Sequence, residues 1–193
     1  MKTFEELICE RRSIRKYKKD PVPKALIQKV LEAGFWAPSG KNLQNWRFFV
    51  GPGKKRDSYL KYSQKSWLGI KDVLQKKLKP TLYEFTERFF YTLGDAPVLI
   101  FCYSKNDAEE RHLTSIGSVY MAVQNILIAA QSHGLGTCAM GAPLELKDEV
   151  DLFIGLERVE GLELLCGITM GWPDHNPPAA PRQTEGRVTW IEE

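Results

Sequence analysis

Apolar residues recur along the chain with two periods, and they predict alternating helices and strands. Thr3-x-x-Glu6 is a capping-box pattern, and Phe4, Leu7 and Ile8 follow at helical spacing, so a first helix is expected to about Arg12. Leu26, Ile27, Val30 and Leu31 mark a second helix, ended by Gly34 and Pro38. Trp46 to Val50 is a short apolar run of strand type, closed by Gly51-Pro52-Gly53. Residues 54–93 read as helical, with Trp67, Ile70, Val73, Leu74 and Leu78 in one apolar stripe. Pro97 to Tyr103 is continuously apolar and predicts a buried strand. A long helix follows at about 114–133. It is apolar on more than one face, through Ile116, Val119, Tyr120, Val123, Ile126, Leu127 and Ala130, as befits a central or interfacial helix.

Gly134 and Gly136 then turn the chain into a short strand, Thr137 to Met140. A helix near 145–155 and a strand at 162–170 complete the expected core. Beyond Gly171 the prolines at 173, 177, 178 and 181 force an extended course, ending in a strand-like run, Arg187 to Ile191. Such an arm must lie along its own body or a partner's. Helices grouped around separated strands predict an α+β fold.

With 193 residues the chain suits one domain. About 70% of its surface can be buried, so no metal or disulfide staple is needed. Its 43% hydrophobic and 26% charged residues exclude disorder, collagen and coiled coil. The net charge of +3 hides an asymmetry. Residues 1–100 carry 21 Lys+Arg against 10 Asp+Glu, and residues 101–193 carry 6 against 14. The basic half suits a phosphate-bearing ligand or a solvated surface, while the acidic half argues against nucleic acid. Cys9, Cys102, Cys138 and Cys166 form no C-x-x-C pair and read as reduced core cysteines. The start has no apolar signal core, and the most apolar run, Val119 to Ala130, is too short to span a bilayer. A cytoplasmic protein without membrane partners is expected.

Side-chain catalysis finds little support. His112, His133 and His175 lack zinc-site spacing, and neither G-x-S-x-G nor a phosphate loop occurs. Gly134 to Ala139 fits G-x-G-x-x-A, but a helix precedes it where the dinucleotide fingerprint needs a strand. Three clusters remain. Arg11-Arg12-Ser13-Ile14-Arg15 offers three guanidinium groups and a hydroxyl, enough to clamp a phosphate or simply to decorate a helix C-terminus. Pro38 to Trp46 packs Ser39, Asn42, Gln44 and Asn45 into one loop, suited to a heterocycle edge or to ordinary turns. The glycine-rich turn at 134–141 admits a flat ligand near backbone N–H groups, or serves as a helix cap.

Taken in order, these motifs resemble the nitroreductase family of FMN-dependent oxidoreductases. The resemblance runs through Arg11-Arg12-Ser13-x-Arg15, Ala37-Pro38-Ser39-x-x-Asn42-x-Gln44-x-Trp46-x-Phe48, Gln124-Asn125, Gly134 to Cys138, Gly167 to Pro173 and Pro181-Arg182. It covers nearly the whole chain except about 54–93. It implies one nitroreductase-like domain over residues 1–193, an α/β sandwich with a mixed, mainly antiparallel sheet flanked by helices. It also implies an intertwined homodimer, with residues 172–193 as an arm packing on the partner. Arg11, Ser13 and Arg182 match positions that hold the FMN phosphate and ribityl chain, and Arg12 a neighbouring contact. Arg15 falls near the flavin N1/O2 edge. Pro38, Ser39, Asn42 and Gln44 match a loop reaching FMN mainly from the other subunit, and Met140 and Gly141 lie near flavin N5.

No side chain need act as acid or base, because the flavin carries the chemistry. NADH or NADPH would donate a hydride, and an electron-poor small molecule, of nitroaromatic or quinone type, would accept the electrons. Dehalogenation, flavin fragmentation, ring oxidation or FMN binding without turnover are the competing implications. Asn45 stands where many relatives have Pro, and Ala139 where many have Trp, which bears on acceptor choice.

Overall fold

The computed structural model describes residues 2–105, 112–156 and 161–191. Among these residues six α-helices flank a four-stranded sheet of order β1-β2-β4-β3. The first helix, α1 (Phe4–Glu10), is capped as its sequence predicts. Glu6 N–H donates to Thr3 Oγ1 at 3.2 Å, and Thr3 N–H donates to Glu6 Oε2 at 2.7 Å. Helix α2 (Lys24–Phe35) ends between Gly34 and Pro38, as the sequence predicts. A Cβ at Gly34 would sit 2.8 Å from Ile126 Cγ1, so this glycine also brings α2 close to the long helix α5 (His112–Ser132).

Strands β1 (Trp46–Pro52), β2 (Val98–Lys105), β3 (Gly136–Met140) and β4 (Leu162–Gly171) pair antiparallel throughout, in line with the mainly antiparallel sheet expected but without its mixed part. Among the described residues the one parallel pairing is an isolated bridge, Ser13 to Thr137. The tail explains the difference. Arg187 to Ile191 forms no strand, and Val188, Trp190 and Ile191 are 67%, 82% and 98% exposed. Its prolines carry it away from its own sheet.

Strand β2 is buried on both faces. Val98, Ile100 and Cys102 join a core with α2 and α5, while Leu99, Phe101 and Tyr103 join a second core on the other side. That second core is closed by α3 (Gly53–Lys77), α4 (Pro80–Thr92) and α6 (Lys147–Ile154). At β4 the register slips by one residue beside Cys102. Leu165 is bulged out of the ladder, and Tyr120 Oη donates to its carbonyl at 2.9 Å.

The hairpin of α3 and α4 fills the region the sequence left least legible. Trp67 is fully buried between Tyr83 and Phe90, with ring centroids 5.1 and 5.3 Å away, and its indole N–H donates to Glu87 at 3.0 Å. Val73, placed in the apolar stripe by its spacing, faces outward at 54% exposure. The shorter α4 covers only one side of α3. Helix α5 is long and apolar enough by length and composition to cross a membrane, beyond the shorter run read from sequence, yet half of its apolar window is buried inside the fold.

Candidate functional site

Residues 11–18 form an extended segment threaded between β3, the end of β4 and the tight turn Leu93–Asp95. Ile14 N–H donates to Thr137 O at 2.8 Å, Tyr17 N–H to Gly94 O at 2.8 Å, and Lys18 N–H to Trp172 O at 2.8 Å. Extended backbone alternates its side chains. Arg11, Ser13 and Arg15 gather at Cys138 on β3, whereas Arg12 and Ile14 line the opposite side. The run that sequence treats as one cluster is therefore split. Arg12 donates to the carbonyls of Cys9 and Arg11 at 2.6 and 2.9 Å, closing the end of α1, and lines a separate polar cavity of about 570 Å³ with Lys2, Gln131 and His175.

Glycines make room for this threading. Gly94 has φ +63°, and a Cβ there would lie 2.2 Å from Arg15 O. A Cβ at Gly136 would meet Ile14 Cγ1 at 2.7 Å.

Arg15 opens into a cavity of about 220 Å³. Its floor is Cys138 to Pro143, which includes the expected Met140 and Gly141. Its walls come from the hairpin, through Tyr59, Ser63, Thr86, Phe89 and Phe90. Sequence reasoning missed these wall residues. Their only signal is the amphipathic spacing of α3 and α4, which marks them as core and not as lining.

Burial pushes the Cys138 thiol up, and Arg15 and Arg11 pull it back down by charge, helped by hydrogen bonds from Arg15 and Ser13. Burial dominates, so the thiol stays protonated and serves as packing. The local sequence supplies no cation to Cys138; the fold brings two from the N-terminal segment. Tyr17, also buried, is raised well above the usual phenol range by desolvation and by Cys138.

The loop of Pro38, Ser39, Asn42 and Gln44 is held in an unusual shape. Lys41, Asn42 and Gln44 take φ of 50°, 57° and 48°, in the left-handed region. Ser39 braces it: Asn42 N–H donates to Ser39 O at 3.0 Å, and Gln44 N–H to Ser39 Oγ at 3.0 Å. Asn45 anchors it. Its buried amide donates to Ser104 Oγ at 2.8 Å and Ser115 O at 3.1 Å, and its carbonyl accepts from Lys105 N–H at 2.7 Å. Pro38, Asn42 and Gln44 point to solvent and do not line the Arg15 cavity. Arg182 lies in the exposed tail, donating to Ala180 O at 3.2 Å. One chain thus brings together Arg11, Ser13, Arg15, Met140 and Gly141, and leaves the loop and Arg182 facing outward.

The chain matches the family model described as "Nitroreductase family" over residues 8–172. It is 27% identical over 220 residues to 4-nitrobenzoate reductase of Nocardioides sp., covering 95% of this chain and 86% of that protein. It is 29% identical over 188 residues to the NADPH-flavin oxidoreductase of Vibrio harveyi, covering 92% and 68%. Its fold superposes with TM-score 0.79 and 26% identity on oxidized iodotyrosine deiodinase bound to FMN and 3-iodo-L-tyrosine, covering 98% and 100%.

Proposed function

Because the chain belongs to the nitroreductase family, we propose that it is an FMN-dependent oxidoreductase fed by NADH or NADPH. The observation that carries the reading is the joining of a cation-and-hydroxyl cluster to an aromatic-walled cavity. Arg11, Ser13 and Arg15 stand at one side of Cys138, and Tyr59, Phe89 and Phe90 line the space beyond it. That donor set suits a phosphorylated flat heterocycle, with charge for the phosphate and π-faces for the ring. Bound FMN would supply two-electron chemistry, taking a hydride from the nicotinamide and passing electrons to a nitroaromatic or quinone-type acceptor.

The chain's own residues bind and orient. Arg11 and Ser13 would hold the phosphate and ribityl chain, joined by Arg182. Arg15 would place a positive charge near the ring's N1/O2 edge, where it would favour the form carrying extra negative charge. Backbone N–H groups at Met140 and Gly141 would face the ring near N5. The hairpin of α3 and α4 keeps water from one side of the cavity.

A homodimer completes the site in this reading. Every residue from Pro178 to Ile191 is exposed in the single chain, and so are Trp36, Tyr120 and Met121. Two copies related by a twofold axis would cover these surfaces reciprocally. Residues 1–193 then make one domain, with 172–193 reaching over the partner, and the partner's loop 38–44 meeting the ring. Four free thiols, Cys9 exposed among them, suit a reducing cytoplasm.

The absorbance of the purified protein, the flavin released on denaturation, and stopped-flow bleaching by NADH and NADPH test the reading together. A protein that takes up no FMN overturns it. A yellow protein that neither nucleotide bleaches is a binder without turnover. The likeness to the deiodinase gives a second reading, dehalogenation, so 3-iodotyrosine belongs in the acceptor panel beside nitroaromatics and quinones, with products identified.

A further inference from the structure

We propose that Tyr17 is a positioning residue that sets Arg15 against the cavity by fixing the backbone of residues 14–17. The electrochemical consequence rests on the FMN reading above; the structural claim does not.

Among the described residues no carboxylate pairs with Arg15. A long arginine without an ion-pair partner has many rotamers open to it, so its reach depends on where its backbone is held. Tyr17 does the holding at three points. Its hydroxyl donates to Ile14 O and lies 2.8 Å from Thr169 Oγ1 on β4. Its amide donates to Gly94 O at 2.8 Å. Its ring packs with Ile14 and Ala96 in a small core of its own, 3% exposed. The peptide of Arg15 lies inside this frame, with Gly94 against its carbonyl too closely for any side chain. The hydroxyl is the part a phenylalanine would lack. Without it the buried Ile14 carbonyl loses its phenol donor, an unpaired buried acceptor is costly, and the segment relaxes to find another.

Two measurements read this, one without flavin. In apo protein carrying carbon-labelled cysteine, with the Cys138 resonance assigned through Cys138→Ala, the thiol is titrated by NMR. Arg15 and Arg11 lower that thiol by charge, with hydrogen bonds from Arg15 and Ser13, and Cys138 in turn raises Tyr17, whose phenol stays neutral over the range titrated. In Tyr17→Phe the Cys138 midpoint should move up as Arg15 withdraws. In the FMN-loaded protein, Tyr17→Phe should lose about tenfold of its preference for reduced over oxidised flavin, a fall of about 30 mV in two-electron midpoint potential. The same substitution in an Arg15→Gln background should add nothing further.

A lower melting temperature with an unchanged Cys138 midpoint and unchanged potential would reduce Tyr17 to a packing residue and overturn the proposal. So would a potential shift that persists in the Arg15→Gln background. Thr169→Val removes the same bridge from the β4 side, and must reproduce the effect if Tyr17→Phe fails to fold. Failure of the wild-type chain to take up FMN would sink the flavin reading alone, because the apo titration still decides the role of Tyr17.

Discussion

Residues 11–18 and residues 178–191 carry the cations that the FMN reading proposes for one phosphate, and the chain builds them in opposite ways. The first segment is hydrogen-bonded to β3, to the turn at Gly94 and to the end of β4, and glycines are cleared on two sides of it. The second is exposed at every position, and Arg182 bonds its own neighbour's carbonyl. A short extended segment acquires a fixed position only from partners for its backbone. The N-terminal segment finds them within the chain. The tail's proline spacing denies it that, and among the described residues no backbone hydrogen bond joins 178–191 to the rest of the chain.

Two glycines of nearly equal φ give the sharpest contrast. Gly94, at +63°, faces Arg15 O, while Gly186, at +66°, has nothing within 4 Å of a built Cβ. Gly94→Ala should destabilise the fold by at least about 3 kcal/mol in urea titration, since strain and a backbone clash coincide. Gly186→Ala should change it by less than about 1 kcal/mol, because the tail can relax. Equal effects would break the comparison. Next in size is Arg182→Ala, which should weaken FMN binding about 10- to 150-fold, from the roughly 1.5–3 kcal/mol of a charged hydrogen bond. Calorimetry should find this loss with the apo melting curve unmoved; an unchanged affinity would remove the tail from the site.

Alkaline pH probes the clamped side. Burial raises Cys138 and Cys102 above the ordinary thiol value of 9.0. Above that pH the unfolded chain releases protons that the native state retains, so the unfolded state binds fewer and stability falls as pH rises. The loss should approach about 1.4 kcal/mol per pH unit for each thiol, and denaturation curves between neutral and alkaline pH would reveal a flat profile if the burial were wrong. A modest effect is expected for Cys138→Ala, about 1 kcal/mol of stability. Flavin reduction by NAD(P)H should persist in this variant; its abolition with FMN still bound would require a thiol mechanism.

Much of this was legible from spacing. The capping box at Thr3, the long helix and the four strands announce themselves through local periodicity. The alternation that unites Arg11, Ser13 and Arg15 and sets Arg12 apart was not read, because it appears only once the segment is known to be extended and not helical. Cys138 looked isolated because its cations lie more than a hundred positions away in the chain. The walls supplied by Tyr59, Phe89 and Phe90 depend on how two helices pack, and amphipathic spacing cannot tell a lining residue from a core one. The strand expected at 187–191 failed for a plainer reason: a strand needs a neighbour, and the chain offers that segment none.

The braced loop at 38–45 has a kinetic consequence. Holding Lys41 and Gln44 at positive φ costs about 1–3 kcal/mol each, and Ser39 and Asn45 supply the bonds that sustain it. Because the bonds are internal, the loop has its shape before any ring arrives. If the loop meets FMN as proposed, association would skip the slow search through loop conformers and spend no fresh ordering entropy. Exchange of a bound ring should accordingly be governed by its departure rate, and Ser39→Ala should slow capture while barely altering release.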